Sequence, residues 1–128
     1  MTDLATLARE LNTLEAVQAA LAGIADRTDD ARKHELIKLR RDLSAQIAKV
    51  GEVAEPIFRA ADPGLNQEYR NKFSRMRSAA ALHQAAWPAI RLGENIADYK
   101  ASARTVREAN KAFVAWVRGT LSQLQQDR

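Results

Sequence analysis

The sequence predicts an all-α protein, an up-down antiparallel bundle of four helices built as one domain over residues 1–128. Three observations predict it. Near the C-terminus, Leu92, Ile96, Tyr99, Ala103, Val106, Asn110, Phe113, Val117 and Leu121 recur every three or four residues, which places them on one side of a helix. Three prolines and five glycines in 128 residues leave room for a few long helices rather than many short elements. Hydrophobic residues at 46% and charged residues at 28% allow both a core and a solvated exterior. Much of the apolar share is alanine, which favours helix and close approach but buries little area.

The first helix is expected from about Asp3 to Asp26, with Thr2 as N-cap and Leu4, Leu7, Leu11, Leu14, Val17, Leu21 and Ile24 as its apolar face. Gln18 falls at the edge of that face, and Gly23 is a C-cap candidate. Thr28, Asp29 and Asp30 read as the start of a second helix carrying Leu36, Leu39, Leu43, Ile47, Val50, Ala54 and Ile57. Pro56 lacks the N–H that would bond Glu52, so a kink is expected near Gly51–Glu55.

Asp62-Pro63-Gly64 is the clearest turn, because proline fixes φ and glycine accepts a positive φ. The third helix follows from about Leu65 to Ala86, with Leu65, Tyr69, Phe73, Met76, Ala80, His83 and Trp87 on one face. Pro88 either ends it or joins it to the fourth helix through a kink, since the residue before proline is pushed out of the α region. The spacing leaves residues 87–95 open between these two outcomes. The fourth helix is expected from about Asn95 to Gln123.

The residue inventory excludes much chemistry. With no cysteine there are no disulfides, thiolate sites or cysteine nucleophiles, which fits a reducing cytoplasm. The N-terminus lacks a signal-peptide pattern, and the longest strongly apolar run, Ala112 to Val117, is too short to cross a bilayer. A soluble, cytoplasmic, non-enzymatic protein without metal or cofactor is expected. His34 and His83 belong to neither a Glu-x-x-His nor a His-Glu-x-x-His pattern. No serine sits in a nucleophile turn, and the glycines are too scattered to cradle phosphate.

Charge is uneven. Residues 1–64 carry nine Lys/Arg against eleven Asp/Glu, and residues 65–128 carry eleven against five. Lys100, Arg104, Arg107, Lys111 and Arg118 share about 80° of arc on the fourth helix, a candidate anion-binding stripe. Glu10, Glu15, Glu35 and Asp42 are the acids expected to offset it from within, and nucleic acid or an acidic partner is the external alternative. Away from the main seam, Ala101, Thr105, Ala109, Ala112, Trp116 and Gly119 form a small, mostly uncharged side. Leu82, beside Ala79 and Ala86, does the same for the third helix. Trp116, Trp87, Ala112 and Leu82 are therefore the candidate partner-binding residues, for another protein or a second copy. Asn110 within the apolar stripe needs a polar partner, for which Gln18 and His83 are available.

Long amphipathic helices with the late Asn-x-x-Phe-Val segment, Asn110 to Val114, give a general fold-level resemblance to small helical secretion chaperones and adaptors of bacteria. The apolar helix faces are the ground for expecting an interaction module that works through them: an adaptor, a chaperone-like protein or a regulatory subunit.

Overall fold

Four helices account for nearly all of the chain in the computed structural model, which describes residues 2–126. They are α1 (Thr2–Ile24), α2 (Arg32–Arg59), α3 (Pro63–Ala86) and α4 (Ile96–Gln126). α1 packs chiefly on α2, and α3 chiefly on α4, with lighter contact between α1 and α4 and between α2 and α3. Short connections make successive helices antiparallel. The bundle is thus two helical hairpins laid side by side, without strands among the described residues.

The apolar stripes meet as their spacing dictates. Leu7, Leu11, Leu14, Val50, Ala54, Phe58, Phe113 and Val117 are almost or fully inaccessible and form the main core. At the second helix the buried aromatic is Phe58, while Ile57 packs on the margin. A smaller cluster, Ile24, Leu36, Leu39, Leu92 and Tyr99, closes the opposite end.

Helix boundaries show which local signals prevailed. Asp62 caps α3 by accepting from the Gly64 N–H, and Pro63 takes the first helical position, where its missing donor costs nothing. Thr28, Asp29 and Asp30 do not start α2. The helix begins at Arg32 behind Ala31, which gives no side-chain cap. Asp29 is instead engaged by the Arg27 guanidinium, which also reaches Glu35 and clasps the α1–α2 link. Gly23 lies inside α1, one residue before its end, and is not the C-cap. The proposed Thr2 cap depends on a side chain outside the described residues.

α2 runs through Pro56 and ends one turn later at Arg59. Pro88 terminates α3 rather than kinking a continuous helix into α4. Trp87 leaves the α region (φ −127°, ψ 69°), and only a 3₁₀ turn, Ala89–Arg91, forms before Ile96. Gly93 (φ 101°) and Asn95 (φ 42°) make the reversal through the left-handed region that glycine and asparagine tolerate.

Candidate functional site

Between the two core clusters, the four helices enclose a polar layer. Gln18 from α1, Arg40 from α2, His83 and Gln84 from α3, and Tyr99 and Arg107 from α4 line a cavity of about 40 Å³. Leu21, Leu36, Leu43, Ala80 and Val106 complete its wall. These polar residues sit at the edges of apolar stripes, so helix packing carries them inward along with their hydrophobic neighbours.

Arg40 dominates the electrostatics. It is half-buried and forms no ion pair among the described residues, and its Nη2 is fully enclosed without a hydrogen-bond partner. Removal from water pulls its pKa below the usual arginine range, while the nearby Tyr99 hydroxyl acts in the opposite direction. Tyr99 is pushed up by burial, opposed by the Arg40 charge and hydrogen bond. His83 Nδ1 lies 2.6 Å from Ser102 Oγ, a hydrogen bond joining α3 to α4. Burial, with the Arg40 charge second, brings the His83 pKa down to about 4, so the imidazole is neutral at pH 7. Neutral histidine, buried tyrosine and the guanidinium groups of Arg40 and Arg107 make a polar chamber whose fixed charges are both positive.

The basic stripe divides. Lys100 pairs with Asp26 at 2.9 Å, and its hydrogen bond and charge hold that carboxyl below the usual range. Arg118 pairs with Glu15 at 2.7 Å and also donates to Asn12. Of the acids expected to offset the stripe, Glu15 does so. Glu10 accepts from Gln46, Glu35 serves Arg27 and Asp42 serves Lys38. Arg104, Arg107 and Lys111, in the middle of the stripe, have no ion pair among the described residues. A groove of about 180 Å³ between α1 and α4 is lined by Lys100, Arg104 and Arg107 together with Leu21, Ala22, Ala25 and Ala103. Five residues, Leu21, Ala22, Tyr99, Ala103 and Arg107, line both this groove and the inner cavity.

The four candidate partner-binding residues are not brought to one point. Leu82 projects from α3, 72% exposed. Ala112 is exposed and lines a hollow of about 70 Å³ with Lys72, Arg75, Met76 and Ala109, between α3 and α4. Trp116 is half-buried in its own bundle, stacked on Phe58 at 5.5 Å with the Lys72 ammonium over its ring. Trp87 stands edge-on to Tyr99 and is covered by the Arg91 guanidinium at 4.4 Å.

His83 does not serve Asn110, because its hydrogen bond goes to Ser102. Asn110 Oδ1 is buried with no hydrogen-bond partner. His34 is exposed. Sequence reasoning missed Arg40 and Ser102. A signal for Arg40 was present, since Leu36, Arg40, Leu43 and Ile47 have the 4-3-4 spacing of an inward-facing row.

Among the described residues, no group of three His, Cys, Asp or Glu could hold a metal ion, and no helix is long and apolar enough to cross a membrane. No protein-family model, curated protein or solved structure matches the chain.

Proposed function

We propose that the chain is a non-enzymatic helical interaction module, an adaptor, chaperone-like or regulatory subunit of the bacterial cytoplasm, whose docking surface is the outer face of the α3–α4 hairpin. The exposure of Leu82 carries this reading. A leucine 72% exposed gains nothing from its own fold. Ala86, Ala101, Thr105 and Ala112, elsewhere on the hairpin, are also exposed and small, and offer little steric hindrance to an incoming helix.

Charge argues for the class of partner. The hairpin, residues 63–126, carries ten Lys/Arg against four Asp/Glu. A second copy would present the same basic flank and be repelled, whereas an acidic amphipathic helix is attracted. Leucines of such a helix would lie beside Leu82, and its carboxylates would meet Lys72 and Arg75. Nucleic acid fits less well, because two of the five stripe cations already serve Asp26 and Glu15. No aromatic is interleaved among Arg104, Arg107 and Lys111 for base stacking.

The test is capture of the native partner by wild type and by Leu82→Glu, with circular dichroism as the folding control and the bound segment mapped. The expected result is an acidic amphipathic segment held by wild type and lost, by at least tenfold in affinity, by the variant. Equal capture by folded Leu82→Glu removes this face from the proposal.

A further inference from the structure

We propose that the cavity between the two hairpins binds a small organic monocarboxylate, with its carboxylate on Arg40 and its apolar tail directed along the α1–α4 groove. The site is separate from the hairpin face and stands independently of it.

The argument starts from an unbalanced charge. Lys100 has Asp26 and Arg27 has Asp29 and Glu35, whereas Arg40 and Arg107, which both line the cavity, have no ion pair among the described residues. Arg40 has a tyrosine hydroxyl and an enclosed Nη2 with no acceptor. Nη2 has no accessible surface, so a ligand meets the guanidinium through its other N–H donors, and a carboxylate brings both an acceptor and the counter-charge that Arg40 lacks. Gln18, a buried amide, and Tyr99 stand around the same cavity and can donate to an anion's remaining lone pairs.

Size selects within the class. A cavity of about 40 Å³ has room for about three water-sized occupants on the scale where one water needs about 10–15 Å³. Three heavy atoms is the size of a carboxylate head. A nucleotide or a polyphosphate exceeds it. The adjoining groove of about 180 Å³ offers Leu21, Ala22, Ala25 and Ala103 to a short aliphatic chain. Its polar margin is Lys100, Arg104 and Arg107 against one acid, Asp26, a potential that draws anions toward the opening.

The probe is sodium butyrate, titrated into ¹⁵N-labelled full-length protein with sodium chloride at matched ionic strength as the comparison. Saturable amide shifts at Arg40, His83 and Tyr99 with butyrate, absent with chloride, are expected. Arg40→Leu is expected to weaken binding at least tenfold. Arg40→Lys, which keeps the charge but loses the guanidinium's planar set of donors, is expected to weaken it about threefold or more. Arg104→Gln, on the outer margin, is expected to change it less than threefold. Butyrate shifts no different from chloride, or shifts confined to surface lysines, mean that water alone occupies the cavity and overturn the proposal. Undiminished binding by Arg40→Leu or Arg40→Lys also overturns it.

Discussion

The two ends of this bundle are built on the same four helices and solve different problems. At one end, the C-terminus of α2, the start of α3 and the end of α4 bring together Phe58, Tyr69, Phe73, Phe113 and Trp116. Phe58 stacks on Tyr69 at 4.6 Å and on Trp116 at 5.5 Å, and Phe73 meets Phe113 edge-on at 5.8 Å. The Tyr69 pKa is pushed up to about 12, by burial first and the Glu55 charge second. Toward the other end, inside the small apolar cluster of Ile24, Leu36, Leu39 and Leu92 that closes it, the space between helices is filled by Gln18, Arg40, His83 and Tyr99, with a cavity among them. The aromatic end maximises apolar contact, while the polar end leaves a buried cation without its counter-charge. The difference places the densest apolar packing at one end and, under the proposal above, the capacity to bind at the other, because a surface that has already satisfied itself has nothing left for a ligand.

The largest expected effect lies at the aromatic end. Phe58 is inaccessible and touches aromatic rings from both α3 and α4. Phe58→Ala is expected to destabilise the fold by about 3–5 kcal/mol, the usual range for emptying a buried aromatic site. Urea unfolding followed by far-UV circular dichroism measures it. A loss below about 1 kcal/mol would break the comparison, since the stack would then be decoration on a core held elsewhere.

A smaller effect is expected where α2 approaches α3 beneath the same stack. A Cβ added at Gly51 would meet Phe73 Cζ at 2.9 Å. That contact gives Gly51 a packing role, where the sequence suggested a weak point beside Pro56. Valine has one strongly preferred rotamer in a helix and cannot swing clear of the ring. Gly51→Val is expected to cost about 1–3 kcal/mol, the range for overpacking, by displacing Phe73 from Phe113. Thermal unfolding of the variant checks this, and an unchanged or raised Tm would show that Phe73 moves without cost.

The fold was legible because it rests on periodicity. Leu36, Leu39, Leu43, Ile47, Val50 and Ala54 are buried as their spacing requires, and so are Tyr99, Val106, Phe113, Val117 and Leu121. The helix starts were less legible where several capping residues competed. Asp29 was drawn away by Arg27, two residues earlier, a local side-chain ion pair that competed with its capping role. The polar cavity was legible only in fragments. Gln18 stood at a stripe edge, His83 on an apolar face and Arg40 in an inward-spaced row, but that Arg40 lacks a counter-charge shows only once α1 and α4 pack around it. Whether a cation has a partner depends on which helix lies opposite, and no pattern within a single helix records that. Lys100 and Arg104 are one turn apart on α4, yet only Lys100 finds an acid, because Asp26 ends up beside it.

The smallest effect tests the polar end through its histidine. His83 is neutral in the folded protein, with its pKa brought down to about 4 by burial and by the Arg40 charge. In the unfolded chain it titrates near its ordinary 6.5. Between these values the unfolded state binds the proton first. Stability therefore holds at pH 7, falls as pH drops through 6.5 toward 4, and stops falling on this account once both states are protonated. The ring is only half-buried, so solvent screening reduces the full linkage to about 1 kcal/mol between pH 7 and pH 5. His83→Gln keeps a group able to hydrogen-bond Ser102 but removes the titration. Urea unfolding of both proteins at pH 7, 6 and 5 is expected to show wild type losing about 1 kcal/mol more than the variant. Parallel pH profiles for the two would mean that protonated His83 finds water or an acceptor inside the folded bundle. The polar end would then be open to solvent and would not confine Arg40.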